Sequence, residues 1–268
     1  MIRVSKLGKS YSGARVLHDI DFEVACGEFV GIVGPNGSGK STLIGLLSAV
    51  ERMDEGEIWL DGKPLSSYTR KSLARVMAVL QQGAIPPIAF TVRDVVEMGR
   101  YPHQTWFGNE PGESDALISS ILDSLGLAAL ATRPVSQLSG GERQRVALAM
   151  TIAQQPKVLL LDEPTTYLDI GHQIMLMDRI RHWQQETGMT VVAVLHDLNL
   201  ASLYCDRLVM LAGGRIVATG TPREIVRAEL IRKVYGVMPT IIEHPVGKHP
   251  QMMLSPLSGG MKEQGRWH

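Results

Sequence analysis

The chain has 268 residues, 44% hydrophobic and 20% charged, which excludes a disordered or low-complexity polymer and leaves room for one large domain or two small ones. Lysine plus arginine number 27, as do aspartate plus glutamate, so the zero formal charge excludes a global field that would draw the protein onto nucleic acid or anionic lipid. With only Cys26 and Cys205, and neither at metal-ligand spacing, there is no secreted disulfide framework; a reducing cytosolic compartment and small core cysteines are expected.

In chain order, Ile20, Phe22 and Val24 alternate with Asp19, Asp21 and Glu23, the period of a half-buried strand. Glu57-Ile58-Trp59-Leu60 runs into Asp61-Gly62, a hairpin signal, so residues 1–65 should hold antiparallel strands. The continuous apolar runs Phe29-Val30-Gly31-Ile32-Val33, Val158-Leu159-Leu160-Leu161 and Val191-Val192-Ala193-Val194-Leu195 suit parallel strands covered on both faces. Between residues 83 and 137, prolines 86, 87, 102 and 111 punctuate a stretch with a predicted helix near 117–125, read as an inserted helical subdomain. Thr221-Pro222-Arg223-Glu224 is a helix start. After Pro239 the pattern fades, and residues 258–268 are expected to fray. No apolar run reaches the ~18 residues of a membrane span, and the first residues lack a signal-peptide core.

The strand at 29–33 ends in Gly34-Pro35-Asn36-Gly37-Ser38-Gly39-Lys40-Ser41-Thr42, followed by a helical run, which is the G-x-x-x-x-G-K-[ST] pattern in its strand–loop–helix setting. Its glycines let backbone N–H groups converge on an anion, Lys40 adds a full charge for the β and γ phosphates, and Ser41 is placed to hold Mg²⁺. Such a loop alone says only nucleotide. Asp162, carried by the buried strand at 158–161, can hold Mg²⁺, and the adjacent Glu163 can polarise a water. Ser139 and Glu142 have capping-box spacing before a helix containing Val146, Leu148, Met150 and Ile152. A cap does not require Gly140-Gly141, whereas a helix start that meets phosphate does, so both readings stand together.

Taken in order, these motifs resemble the ATP-binding subunits of ABC transporters over residues 1–240. The resemblance implies an α/β fold: a P-loop NTPase (RecA-like) parallel-sheet core, an N-terminal antiparallel β subdomain, an inserted helical subdomain at about 83–155, and a C-terminal extension over 241–268. It implies an ATPase using ATP and Mg²⁺, in which Ser139, Gly140, Gly141 and Glu142 of one copy meet nucleotide held by the loop of a second; Glu142 stands where the family carries glutamine. By the same comparison Tyr11 stacks on adenine, Gln82, with Gln81 as a neighbouring rival, reaches Mg²⁺ or the attacking water, Asp169 lies between subunits, and His196 sits beside the γ-phosphate. His244, His249 and His268, in an irregular segment without further ligands, are read as solvated tail residues.

The implied partners are a second copy, separate permease subunits docking through residues 83–105, and indirectly a substrate-binding protein; nucleic acid is not expected. The expected location is peripheral, at the cytoplasmic face of the membrane. Gly99-Arg100-Tyr101-Pro102-His103 and the segment 164–173 are similar to importers of ferric siderophores, haem and cobalamin. Two rival readings are a soluble ABC ATPase acting on ribosomes or DNA, which resembles tandem domains or coiled-coil proteins, and a P-loop small-molecule kinase, in which residues 138–142 would only cap a helix.

Overall fold

The computed structural model describes residues 1–81, 85–104, 113–166 and 168–256. Strands β1 (Ile2–Tyr11) and β2 (Ala14–Val24) form an antiparallel pair, and β3 (Phe29–Val33) leads into α1 (Lys40–Leu47). β4 (Glu55–Leu60) and β5 (Lys63–Pro64) complete a four-stranded sheet in the order β2-β1-β4-β5. Its β4–β5 turn places Asp61 at φ 51° and Gly62 at φ 74°, the paired positive angles that match a tight turn to the twist of its strands. The buried set Ile20, Phe22 and Val24 follows the alternation of the sequence.

After α2 (Arg70–Ala74) and β6 (Met77–Leu80) comes the helical insertion, with α3 (Val92–Met98), α4 (Glu113–Ser124) and α5 (Gly140–Ala153). The chain then returns through β7 (Val158–Asp162), α6 (Ile170–Thr187), β8 (Thr190–Val194), α7 (Leu198–Tyr204), β9 (Arg207–Ala212) and β10 (Arg215–Gly220). Six strands lie in the order β10-β9-β3-β8-β7-β6, all parallel except the edge pair β9–β10. Strands β3, β7 and β8 are buried at every position, as their unbroken apolar runs require.

Alternation within these strands serves two cores. Leu159 and Leu161 pack with α3, α4 and α5, whereas Val158 and Leu160 pack with α1 and the antiparallel sheet. The sheet is thus covered on both faces, by the insertion on one side and by the β subdomain on the other. Among the described residues no helix is long and apolar enough to cross a membrane.

Three expectations need correction. Cys205 is buried but Cys26 is exposed, because it sits in the turn between β2 and β3 rather than in a strand. After α8 (Pro222–Ile225) and α9 (Ala228–Tyr235), the residues past Pro239, where the sequence pattern fades, form a hairpin of β11 (Thr240–Glu243) and β12 (Pro250–Met253). His244 and His249 belong to that hairpin, where the His244 N–H donates to the His249 carbonyl at 2.8 Å; they are not tail residues. Four-residue strands show too few periods to be legible. His268 and the segment 258–268 lie outside the described residues.

Candidate functional site

The parallel sheet gathers three loops at one end. Ile32 of β3 pairs with Val194 of β8, and Val194 pairs with Asp162 of β7, so the strand ends stand level. From them emerge the glycine-rich loop 34–42, the acids Asp162 and Glu163, and His196.

The loop's glycines have steric reasons. A Cβ at Gly34 would lie 2.0 Å from the Leu211 carbonyl oxygen, so no side chain fits there. Gly39, at φ 98°, is the N-cap of α1 and supplies no side chain to the first-turn N–H groups, and no acid lies in that turn. Those donors remain open to an anion. By contrast Thr91, Ser139 and Asp169 cap α3, α5 and α6 with their own oxygens.

Lys40, only 5% exposed, folds back to donate from Nζ to the carbonyls of Gly34 (2.9 Å) and Pro35 (2.8 Å). Burial lowers its pKa, while the carboxylates of Glu163 and Asp162 act to raise it. Ser38 is buried with its hydroxyl unpaired among the described residues, a donor whose desolvation is uncompensated within the chain. Ser41 Oγ donates to Asp162 Oδ1 at 3.1 Å. Burial pushes the Asp162 carboxyl up, and the Ser41 hydrogen bond draws it partly back. A hydroxyl and a carboxylate side by side are the hard oxygen donors that Mg²⁺ takes, and a buried carboxylate of raised pKa is one that a cation would stabilise.

Glu163 has φ 51°, a left-handed conformation costing about 1–2 kcal/mol for a residue with a Cβ. Its N–H donates to Val194 O (3.2 Å), Thr166 Oγ1 donates to Oε2 (3.3 Å), and Oε1 pairs with His196 Nε2. The Glu163 side chain is sheltered, at 11% exposure, whereas that of His196 is 43% exposed. A carboxylate and an imidazole are therefore held together where the loop and the acids converge.

Tyr11 ends β1 with 38% exposure, its hydroxyl within reach of Thr42 and Glu51, which places it beside the end of the loop. Lys9 Nζ lies 5.1 Å from its ring centroid. Lys9 was not among the residues singled out from sequence, although its position two before Tyr11 on a strand puts both on one face.

Ser139 and Glu142 form the expected capping box. The Ser139 N–H donates to Glu142 Oε2 (2.7 Å), the Glu142 N–H donates to Ser139 Oγ (3.3 Å), and this pairing holds the Glu142 carboxyl below its usual pKa. Among the described residues a Cβ on Gly140 would meet nothing within 4 Å, and one on Gly141 only Leu168 at 3.5 Å, so packing there does not demand either glycine. No hydrogen bond or ion pair among the described residues joins 139–142 to 34–42. The helix is instead tied to the acidic loop by Gln144 Nε2 donating to Pro164 O at 3.2 Å, a contact without a sequence signal. Asp169 caps α6, accepting from the His172 N–H (2.9 Å) and pairing with its Nδ1 (2.8 Å), which lowers the Asp169 pKa. Gln82 and Tyr167 lie outside the described residues.

A glycine-rich loop between strand and helix, with its lysine buried and its serine bonded to an aspartate from a neighbouring parallel strand, defines a P-loop nucleoside triphosphatase. The family model described as ABC transporter matches residues 17–166. The ferric enterobactin transport ATP-binding protein FepC of Escherichia coli (strain K12) is 43% identical over 249 residues, 93% of this chain and 92% of FepC. The hemin import ATP-binding protein HmuV of Rhodococcus jostii (strain RHA1) is 42% identical over 246 residues, covering 91% of this chain and 83% of HmuV. Among solved structures, the dimer of an ATP-binding cassette in a post-hydrolysis state with ADP and Pi superposes with a TM-score of 0.73 at 28% identity, covering 82% of this chain and 98% of that one. The chain belongs to the ABC transporter family and, as one of its ATP-binding members, is an ATPase.

Proposed function

We propose that this chain is the ATP-hydrolysing subunit of an importer for an iron-siderophore, or for haem or cobalamin, acting as a homodimer beneath separate permease subunits at the cytoplasmic face of the membrane. The observation that carries the dimer is the Gly140-Gly141 helix start. Gly140 is exposed and Gly141 half-buried, and among the described residues neither is required by packing nor bonded to the nucleotide loop. A helix start that leaves Ser139 and bare N–H groups at the surface suits phosphate held by another copy. The similarity to an enterobactin and a hemin protein supports the cargo class.

In this reading the loop residues 34–42 and the first turn of α1 surround the phosphates, and Lys40 exchanges its carbonyl partners for phosphate oxygens. Ser41 and Asp162, with Gln82, hold Mg²⁺, which when bound supplies Lewis-acid neutralisation of phosphate charge. Glu163, pre-set by its backbone and by Thr166, takes the proton of the attacking water, and His196 stabilises the γ-phosphate end. Tyr11 stacks on adenine, Lys9 holding its ring. Asp169 lies at the seam between copies.

The permease contact falls on residues 83–105, of which 85–104 are described. Phe90, Met98 and Tyr101 expose 55%, 45% and 71% of their surface there, more apolar area than a solvated loop needs. Arg100 Nη1 donates to Ala153 O (2.9 Å), and His103 Nε2 pairs with Gln154 O (2.8 Å), so this surface grips the C-terminal end of α5. The N-terminal end of the same helix carries Ser139 and the glycine pair. Force at the membrane would therefore reach the phosphate seam along one rigid element.

Affinity purification from detergent-solubilised membranes tests the reading. Co-purification of a multispanning membrane subunit is expected. Exclusive recovery with ribosomes or DNA would contradict it.

A further inference from the structure

The C-terminal hairpin is fastened to α7 by side chains rather than by chain continuity alone. Asn199 clamps the backbone of Met252 in both directions: its Nδ2 donates to the Met252 carbonyl (3.1 Å) and its Oδ1 accepts from the Met252 N–H (2.6 Å). An amide is the side chain that presents a donor and an acceptor together in this way. One turn on, the fully buried Ser202 donates from Oγ to the Pro250 carbonyl at 2.7 Å. Gln251 reaches back, its Nε2 donating to the Asn199 carbonyl at 3.4 Å. Ile241 and Met252 also pack against the main hydrophobic core, so the hairpin is docked and not merely appended.

What the clamp holds is the helix that begins immediately after His196. α7 has seven residues, and Asp197 caps it by accepting from the N–H groups of Asn199 (2.7 Å) and Leu200 (3.2 Å). A helix this short has little stability of its own and takes its orientation from what it packs on. Upstream, the Leu195 N–H donates to Ile32 O at 3.1 Å and fixes the end of β8. Between these anchors the His196 side chain is 43% exposed, with its Nε2 against the Glu163 carboxylate. Its placement is thus governed by two backbone supports, one from the sheet and one from α7.

We propose that Asn199 is a positioning residue for hydrolysis: by clamping β12 it fixes the first turn of α7 and thereby holds His196 beside Glu163. The C-terminal hairpin is then a working part of the ATPase site, acting on it through α7. The inference rests on the role given to His196 above.

The test is a double-mutant cycle in the full-length chain, read as steady-state kcat and KM for ATP. Asn199→Ala is expected to lower kcat by roughly tenfold, the scale on which a small misplacement acts, with KM changed by no more than about twofold. Combined with His196→Ala, it is expected to cost nothing beyond His196→Ala alone, because its effect passes through that ring. Ser202→Ala, which removes the second fastening, is expected to lower kcat in the same direction. Should Asn199→Ala fail to accumulate as folded protein, Asn199→Asp, which keeps the acceptor and loses the donor, takes its place in the cycle. Wild-type kcat in the Asn199 variant, or losses that multiply in the double mutant while His196→Ala is itself impaired, would overturn the inference alone. Full hydrolysis by His196→Ala would overturn it together with the role assigned to His196.

Discussion

Lys40 and Glu163 lie in the same electrostatic neighbourhood yet should fail in different ways. The Lys40 ammonium is buried and spends its donors on two carbonyls, so its proposed exchange onto phosphate oxygens would be a binding interaction. Lys40→Ala is expected to weaken ATP binding by about 2 kcal/mol, roughly thirtyfold, in equilibrium titration. Glu163 is held in a strained conformation beside His196 and, in the proposed reading, acts on the water rather than on the nucleotide. Glu163→Gln is therefore expected to leave ATP affinity within about twofold while turnover falls by at least a hundredfold in a phosphate-release assay. Equal loss of binding and turnover in both variants would remove the division of labour.

At the scale of elements, α5 joins a capping box at one end to the grip of Arg100 and His103 at the other. Because the Ser139 N–H holds the Glu142 carboxyl below its usual pKa, the box contributes stability above the ordinary glutamate value of about 4.3 and loses it as pH falls through the lowered native value. Glu142→Gln keeps a side-chain acceptor but cannot titrate. Melting temperatures measured from pH 6 downward are expected to fall less steeply for the variant below about pH 4.5 than for the parent. Parallel curves would show that the pairing adds nothing.

Much of this scale was legible in the sequence. The apolar runs became β3, β7 and β8 because only strands covered on both faces tolerate such runs. Ser139 and Glu142 announced their box by spacing, as did Thr221 and Glu224, whose carboxylate accepts from the Thr221 N–H at 2.7 Å. Two features were not legible. The positive φ of Glu163 goes with a backbone bond to Val194 of β8, and the clamp of Asn199 on Met252 joins residues 53 apart, with no local pattern to mark either.

For the whole molecule, the arrangement places the loop 34–42 and the helix start 139–142 in one chain, with no hydrogen bond or ion pair among the described residues joining them. Two copies related by a twofold axis would bring each half against its complement, giving two equivalent sites at one seam. In the proposed reading ATP would act as the adhesive, and its hydrolysis as the release, of a two-state device whose motion the permease contact would transmit. The rival kinase reading requires no second copy. The most direct measurement is light scattering of the Glu163→Gln chain with Mg²⁺ and saturating ATP, with and without Ser139→Arg. We expect the 29.3 kDa chain to double in mass with ATP and to stay single when Ser139→Arg is added. A chain that binds ATP and stays at 29.3 kDa, or a dimer indifferent to Ser139→Arg, would contradict a nucleotide clamped between two copies.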